Sequence, residues 1–141
     1  MRYFYIEPEV AGGLGPNTVM DRSVHPPIVS HLNYEFDGWF GDVLLTSFPT
    51  FIVTENARNK LVESAVTGAR FADVEISTSG EFDDFYPGRQ LPRFVWLQVT
   101  GRAGRDDFGL AADLRLVISE RALDVLKGLQ LTQALIEPFE K

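Results

Sequence analysis

The chain has 141 residues, 45% hydrophobic and 23% charged, a balance that suits one globular domain with its own core and excludes a disordered or fibrous chain. It contains no cysteine, which excludes a disulfide framework and any thiolate metal site, while eleven Phe, four Tyr and two Trp supply large apolar volume. Twenty acidic against 13 basic residues give a formal net charge of −7, which argues against a nucleic-acid binder and favours encounter with a basic partner.

No stretch approaches the roughly 18 apolar residues of a membrane span, and Met1 to Pro8 carries no apolar leader, so a cytoplasmic protein without membrane contact is expected. Arg2 to Glu7 is aromatic and β-branched and reads as a first strand stopped by Pro8. Ala11 to Pro16 holds three glycines and reads as a loop. It lacks the Lys-Ser or Lys-Thr pair and the following helix that a phosphate cradle needs. Met20 to Pro27 reads as irregular. His25 and His31 lie near Asp21, Asp37 and Asp42, but their spacing matches no metal-ligand pattern, and turn or surface positions are expected. Asn33 to Phe36 is a short strand candidate. Trp39 and Phe40, flanked by Gly38 and Gly41, form either a plug over the core or part of a binding surface.

Phe51-Ile52-Val53 is a buried-strand pattern that runs into Thr54 and Glu55, a cap and an acidic first turn, and then a helix to about Ala65 with Ala57, Leu61 and Ala65 on one face. Gly68 is the expected stop. Phe71 to Ser77 alternates at period two, predicting one strand with Asp73 and Glu75 on its wet face. Glu81 to Phe85 fits a single helical turn carrying Asp83 and Asp84, before the turn residues Tyr86-Pro87-Gly88. Phe94 to Val99 is the strongest strand signal, apolar enough at its start to predict burial on both faces. Gly101 to Gly109 reads as an exposed loop with Asp106 and Asp107 in solvent. Leu116 to Leu129 then repeats the earlier phrase: strand, Ser119 cap, Glu120, helix. A last strand is expected at Ala134 to Glu137, closed by Pro138.

Tyr86 to Phe94, the loop Asp106 to Leu110 and the segment Leu116 to Ala122 together resemble a family of small bacterial proteins of unknown function, some of whose members are assigned as immunity proteins of polymorphic toxin systems. The resemblance runs from about Glu81 to Pro138. It implies a cytoplasmic α+β domain that binds and silences a toxin, and it carries over no catalytic residue.

The expected architecture is a single α+β domain spanning 1–141, with a mixed or mainly antiparallel sheet of about five or six strands and two helices in two similar strand–helix modules on one face. The expected role is non-catalytic: a protein-binding surface for a basic toxin domain, built from Asp73, Glu75, Asp83, Asp84, Asp106 and Asp107 with Tyr86 and Trp39 as aromatic anchors. No cofactor and no metal are called for; the sequence has no cysteine nucleophile and no Gly-x-Ser-x-Gly elbow, and its two histidines lie close together in an irregular stretch. The alternative is a small-ligand module using aromatic-lined space near Trp39, Phe40 and Trp96.

Overall fold

The computed structural model describes residues 1–140. These form an α+β fold of thirteen short strands and three helices. In chain order the N-terminal half holds β1 (Tyr3–Glu7), β2 (Gly12–Leu14), β3 (Val19–Asp21), β4 (Ile28–His31), β5 (Asn33–Phe36), β6 (Leu44–Ser47), β7 (Thr50–Thr54) and α1 (Glu55–Glu63). The second half holds β8 (Ala69–Ala72), β9 (Glu75–Thr78), α2 (Gly80–Phe85), β10 (Phe94–Val99), β11 (Phe108–Leu110), β12 (Leu116–Ser119), α3 (Glu120–Leu129) and β13 (Leu135–Pro138).

The expectation of five or six strands in one sheet with two helices is corrected: there are four sheets and a third helix, α2. Two of the sheets are four-stranded and entirely antiparallel, in the orders β11-β12-β1-β13 and β6-β7-β10-β8. In each, a hairpin strand leads into the strand that feeds a helix, and the strand after that helix takes the far edge. The two strand–helix phrases of the sequence therefore occupy corresponding places. The layout is still not simply two modules, because β2-β5-β9 and the β3-β4 hairpin lie outside them.

Both phrases are capped alike. Thr54 Oγ1 accepts from the Ala57 N–H at 3.1 Å, and Ser119 Oγ accepts from the Ala122 N–H at 3.2 Å. Each satisfies one of the orphan donors of a helix start. The helix α1 ends earlier than the expected stop at Gly68. Val66 N–H reaches the Leu61 carbonyl and Ala65 N–H the Val62 carbonyl, a Schellman arrangement with Ala65 at φ 53° in the place glycine usually takes.

The core has two parts on either side of β10. One joins Val53, Val95 and Leu97 to Ala57 and Leu61 of α1, to Ala122 and Leu126 of α3, and to Phe4 and Ile118 of the other four-stranded sheet. The other sets Ile52, Phe94 and Trp96 against Tyr34 and Phe36 of β5. Successive residues of a strand point to opposite faces, so a strand with a core on each side must be apolar throughout. The continuous apolar start of β10 meets that requirement: Phe94 to Leu97 are all buried.

Candidate interaction surface

The single strand expected at Phe71 to Ser77 is two strands in two sheets. The segment β8 pairs with β10, the chain turns a corner at Asp73 and Val74, and β9 pairs in parallel with β5. Asp73 thus sits at the corner and does not share a strand face with Glu75. Glu75 is already engaged, its carboxylate accepting from Asn17 Nδ2 at 2.7 Å and contacting His31 Nε2 at 2.9 Å. Those two contacts, His31 first, hold the Glu75 carboxyl below its ordinary range. His25 lies elsewhere, tilted against the Phe48 ring at 6.2 Å. Among the described residues no three His, Cys, Asp or Glu side chains come together as a metal site.

The loop from Gly101 to Gly109 is not the exposed acidic loop expected. Asp107 is 5% exposed. Its carboxylate accepts from the Thr67 N–H at 2.8 Å, from Ser119 Oγ at 2.6 Å, and from Arg121 Nε and Nη2 at 2.9 and 2.7 Å. Burial pushes this carboxyl up, but the hydrogen bonds from Arg121, Ser119 and Thr67 outweigh it and hold the pKa at about 2. Arg121 also donates to the carbonyls of Ser64 and Ala65, so the cluster clasps the end of α1 to the start of α3. Asp106 is half-buried and accepts from the Arg102 N–H at 2.7 Å, closing its own loop. Both are structural carboxylates. They lie at the Gly68 end of β8, whereas Asp73 lies at the other end, about 16 Å away along an extended strand.

Around α2 the arrangement is different. Ser79 caps the helix through the Phe82 N–H, Phe82 is buried beneath it, and Asp83, Asp84 and Phe85 face solvent. Tyr86 follows, its ring 5.4 Å from Phe82. Across from it runs the Asp37–Asp42 loop, close enough that a side chain added at Gly38 would meet the Tyr86 ring at 3.5 Å. Arg89 joins the two segments: its guanidinium lies 5.2 Å from the Trp39 ring and 5.5 Å from the Tyr86 ring. Stacking of this kind fixes a planar cation without using its N–H donors. Arg89 has no ion-pair partner among the described residues. Beside this stack stand two large aromatic side chains in water, Phe40 at 70% and Phe85 at 71% exposure.

The loop that carries Trp39 and Phe40 is held rigidly. Trp39 Nε1 donates to the Asp42 carbonyl at 2.9 Å, and its ring meets Phe94 edge-on at 5.7 Å. The Phe40 N–H donates to the buried Glu9 carboxylate at 2.8 Å. Asp42, fully buried, accepts from the Thr132 and Gln133 N–H groups at 2.9 and 2.8 Å. Desolvation raises the Glu9 pKa, only partly offset by the N–H groups of Phe40 and Asp42. Both carboxylates are thus hydrogen-bonded to backbone donors and tie the loop to the strand end and to residues 132–133.

Of the eight predicted site residues, the structure therefore brings Trp39, Tyr86, Asp83 and Asp84 to one corner. It puts Asp73 and Glu75 beyond it and Asp106 and Asp107 in a separate structural clasp. Trp39, Phe40 and Trp96 do not line one common space: Trp39 packs on Phe94, Phe40 borders a shallow cleft beside Glu9 and Asp37, and Trp96 borders another with Pro27 and Val29. Arg89, Phe40 and Phe85 complete the corner. The signal for Arg89 was its place after Pro87-Gly88, a turn that returns the chain beside Tyr86; its contact with Trp39, 50 residues away, has no local signature. No protein-family model matches the chain, and no curated protein matches it. Among the described residues no helix is long and apolar enough to cross a membrane.

Proposed function

We propose that the protein is a non-catalytic binding protein whose partner docks on the corner formed by the Asp37–Asp42 loop, α2 and Arg89, and that this partner is a basic toxin domain which it inhibits by covering it. The observation that carries the proposal is the pre-organised stack of Trp39, Arg89 and Tyr86, flanked by exposed Phe40 and Phe85 and rimmed by Asp37, Asp83 and Asp84. Trp, Tyr and Arg are the residues that dominate interface energetics, and a ring of charge around them steers encounter and sets register. Holding the loop through Glu9, Asp42 and Trp39 lowers the ordering cost of binding. The net charge of −7 favours a basic partner, and the C-terminal half resembles a family of small bacterial proteins of unknown function, some of whose members are assigned as immunity proteins. Inhibition then needs occlusion alone, with no turnover.

The test is co-purification of the tagged protein with the product of the adjacent gene at low and high salt, using the native chain and an Asp83→Lys, Asp84→Lys double variant. A complex that weakens with salt is expected, with the variant losing roughly tenfold or more in affinity at low salt. Both positions are exposed, but Asp83 accepts from Thr78 Oγ1 at 2.8 Å in the first turn of α2, so the unfolding temperature of the double variant is measured beside its affinity and Asp84→Lys alone serves as the control. Equal affinity of the two proteins at low salt would remove α2 from the interface.

A further inference from the structure

Where the tips of the β6–β7 and β11–β12 hairpins approach the end of β1 there is a cleft of about 360 Å³. This is within the range of small-molecule sites, roughly 300–1,000 Å³. Its floor is core: Ile6 and Leu116 are each 1% exposed. Its walls are apolar and come from separate segments, Phe48 and Phe51 from one hairpin and Leu110 and Leu114 from the other. Pro8, Pro26 and Pro49 stand along it, and their fixed φ limits how far the rim can fold inward. Phe48 is 52% exposed where it lines the cleft.

Charge narrows what the cleft can hold. Arg115 is the one cation among its lining residues and Glu7 the one acid. The Arg115 guanidinium is taken by Asp113, Nε to Oδ2 at 2.8 Å, and lies over the Tyr5 ring at 3.7 Å. With Arg115 neutralised by Asp113, Glu7 leaves the mouth with an excess negative charge, and the chain as a whole adds to it. An anion is repelled from such a mouth, while the apolar walls give a hydrated cation nothing in exchange for its water.

We propose that this cleft is a binding site for a neutral, mainly apolar small molecule of about two or three rings or the equivalent aliphatic bulk. The site is separate from the Trp39–Tyr86–Arg89 corner and stands or falls independently of it.

The experiment titrates the protein with N-phenyl-1-naphthylamine, a neutral three-ring fluorophore, and with its sulfonated analogue 8-anilinonaphthalene-1-sulfonate. Saturable one-to-one binding of the neutral probe is expected, with a dissociation constant on the order of 10 μM, and at least roughly tenfold weaker binding of the sulfonate. Two variants place the site. Leu110→Trp fills the cleft, and Val10→Trp covers its mouth from a position 67% exposed, where the larger side chain is tolerated. Each should weaken the neutral probe by roughly tenfold or more. Absence of saturable binding, tighter binding of the sulfonate, or affinity unchanged in both variants would each overturn the proposal.

Discussion

Asp107→Ala is expected to lower the unfolding free energy by about 3 kcal/mol, because it strips the acceptor from several buried donors at once. The Thr67 N–H, Ser119 Oγ and two nitrogens of Arg121 all converge on that carboxylate. Arg121 is 44% exposed and can turn partly to water, which keeps the loss below that of a fully buried ion pair. The same residue gives a signed pH dependence. Its pKa falls from the ordinary 3.8 to about 2 on folding, so its contribution is complete above about pH 4 and disappears as pH falls toward 2. Urea melts of the native chain and the variant should therefore differ most near neutral pH and converge between about pH 4 and pH 2. A difference below about 1 kcal/mol near neutral pH would show that the clasp between α1 and α3 is not needed for stability.

Loss of either end of the aromatic–cation stack should be the largest effect on binding. Trp39→Ala and Arg89→Gln are each expected to weaken the complex with the proposed basic partner by roughly 30-fold, about 2 kcal/mol. The two are not equivalent. Trp39 also packs on Phe94 and donates to the Asp42 carbonyl, so its removal loosens the loop as well. Arg89 is exposed and makes no ion pair among the described residues, so Arg89→Gln loses only the stacking on Trp39 and Tyr86 and is expected to cost less stability than Trp39→Ala. Calorimetric affinity together with thermal unfolding separates the two cases. Native affinity in Arg89→Gln would exclude the stack as an anchor.

The sequence carried its local information well and its long-range information poorly. The phrases at Thr54 and Ser119 were readable because a β-branched run, a hydroxyl cap and an acidic first turn are all specified within a few residues, and both helices start where those caps stand. Burial of β10 on both faces was readable from Phe94 to Leu97 for the same reason. The corner at Asp73 was hidden because alternation continues through it: period two reports which residues are wet, not which sheet a strand joins. Strands β2, β3, β4 and β11 are not legible in the sequence because three or four residues among glycines, prolines and charged residues give no period to read. Asp107 looked exposed because it stands in a run of Gly, Arg and Asp; its burial depends on Arg121 and Thr67, 14 and 40 residues away. Asp106 and Asp107 accordingly do not belong to the acidic surface, while Trp39 and Tyr86, far apart in sequence, meet through Arg89.

Amide hydrogen exchange on the protein alone and mixed with the proposed partner, the product of the adjacent gene, tests the central claim most directly. New protection is expected in residues 37–42 and 80–90, with little change in α1 or α3, whose amides belong to the clasp and the core. Protection confined to other segments, or a complex that leaves 37–42 and 80–90 exchanging as in the free protein, would contradict a partner surface at the Trp39–Tyr86–Arg89 corner.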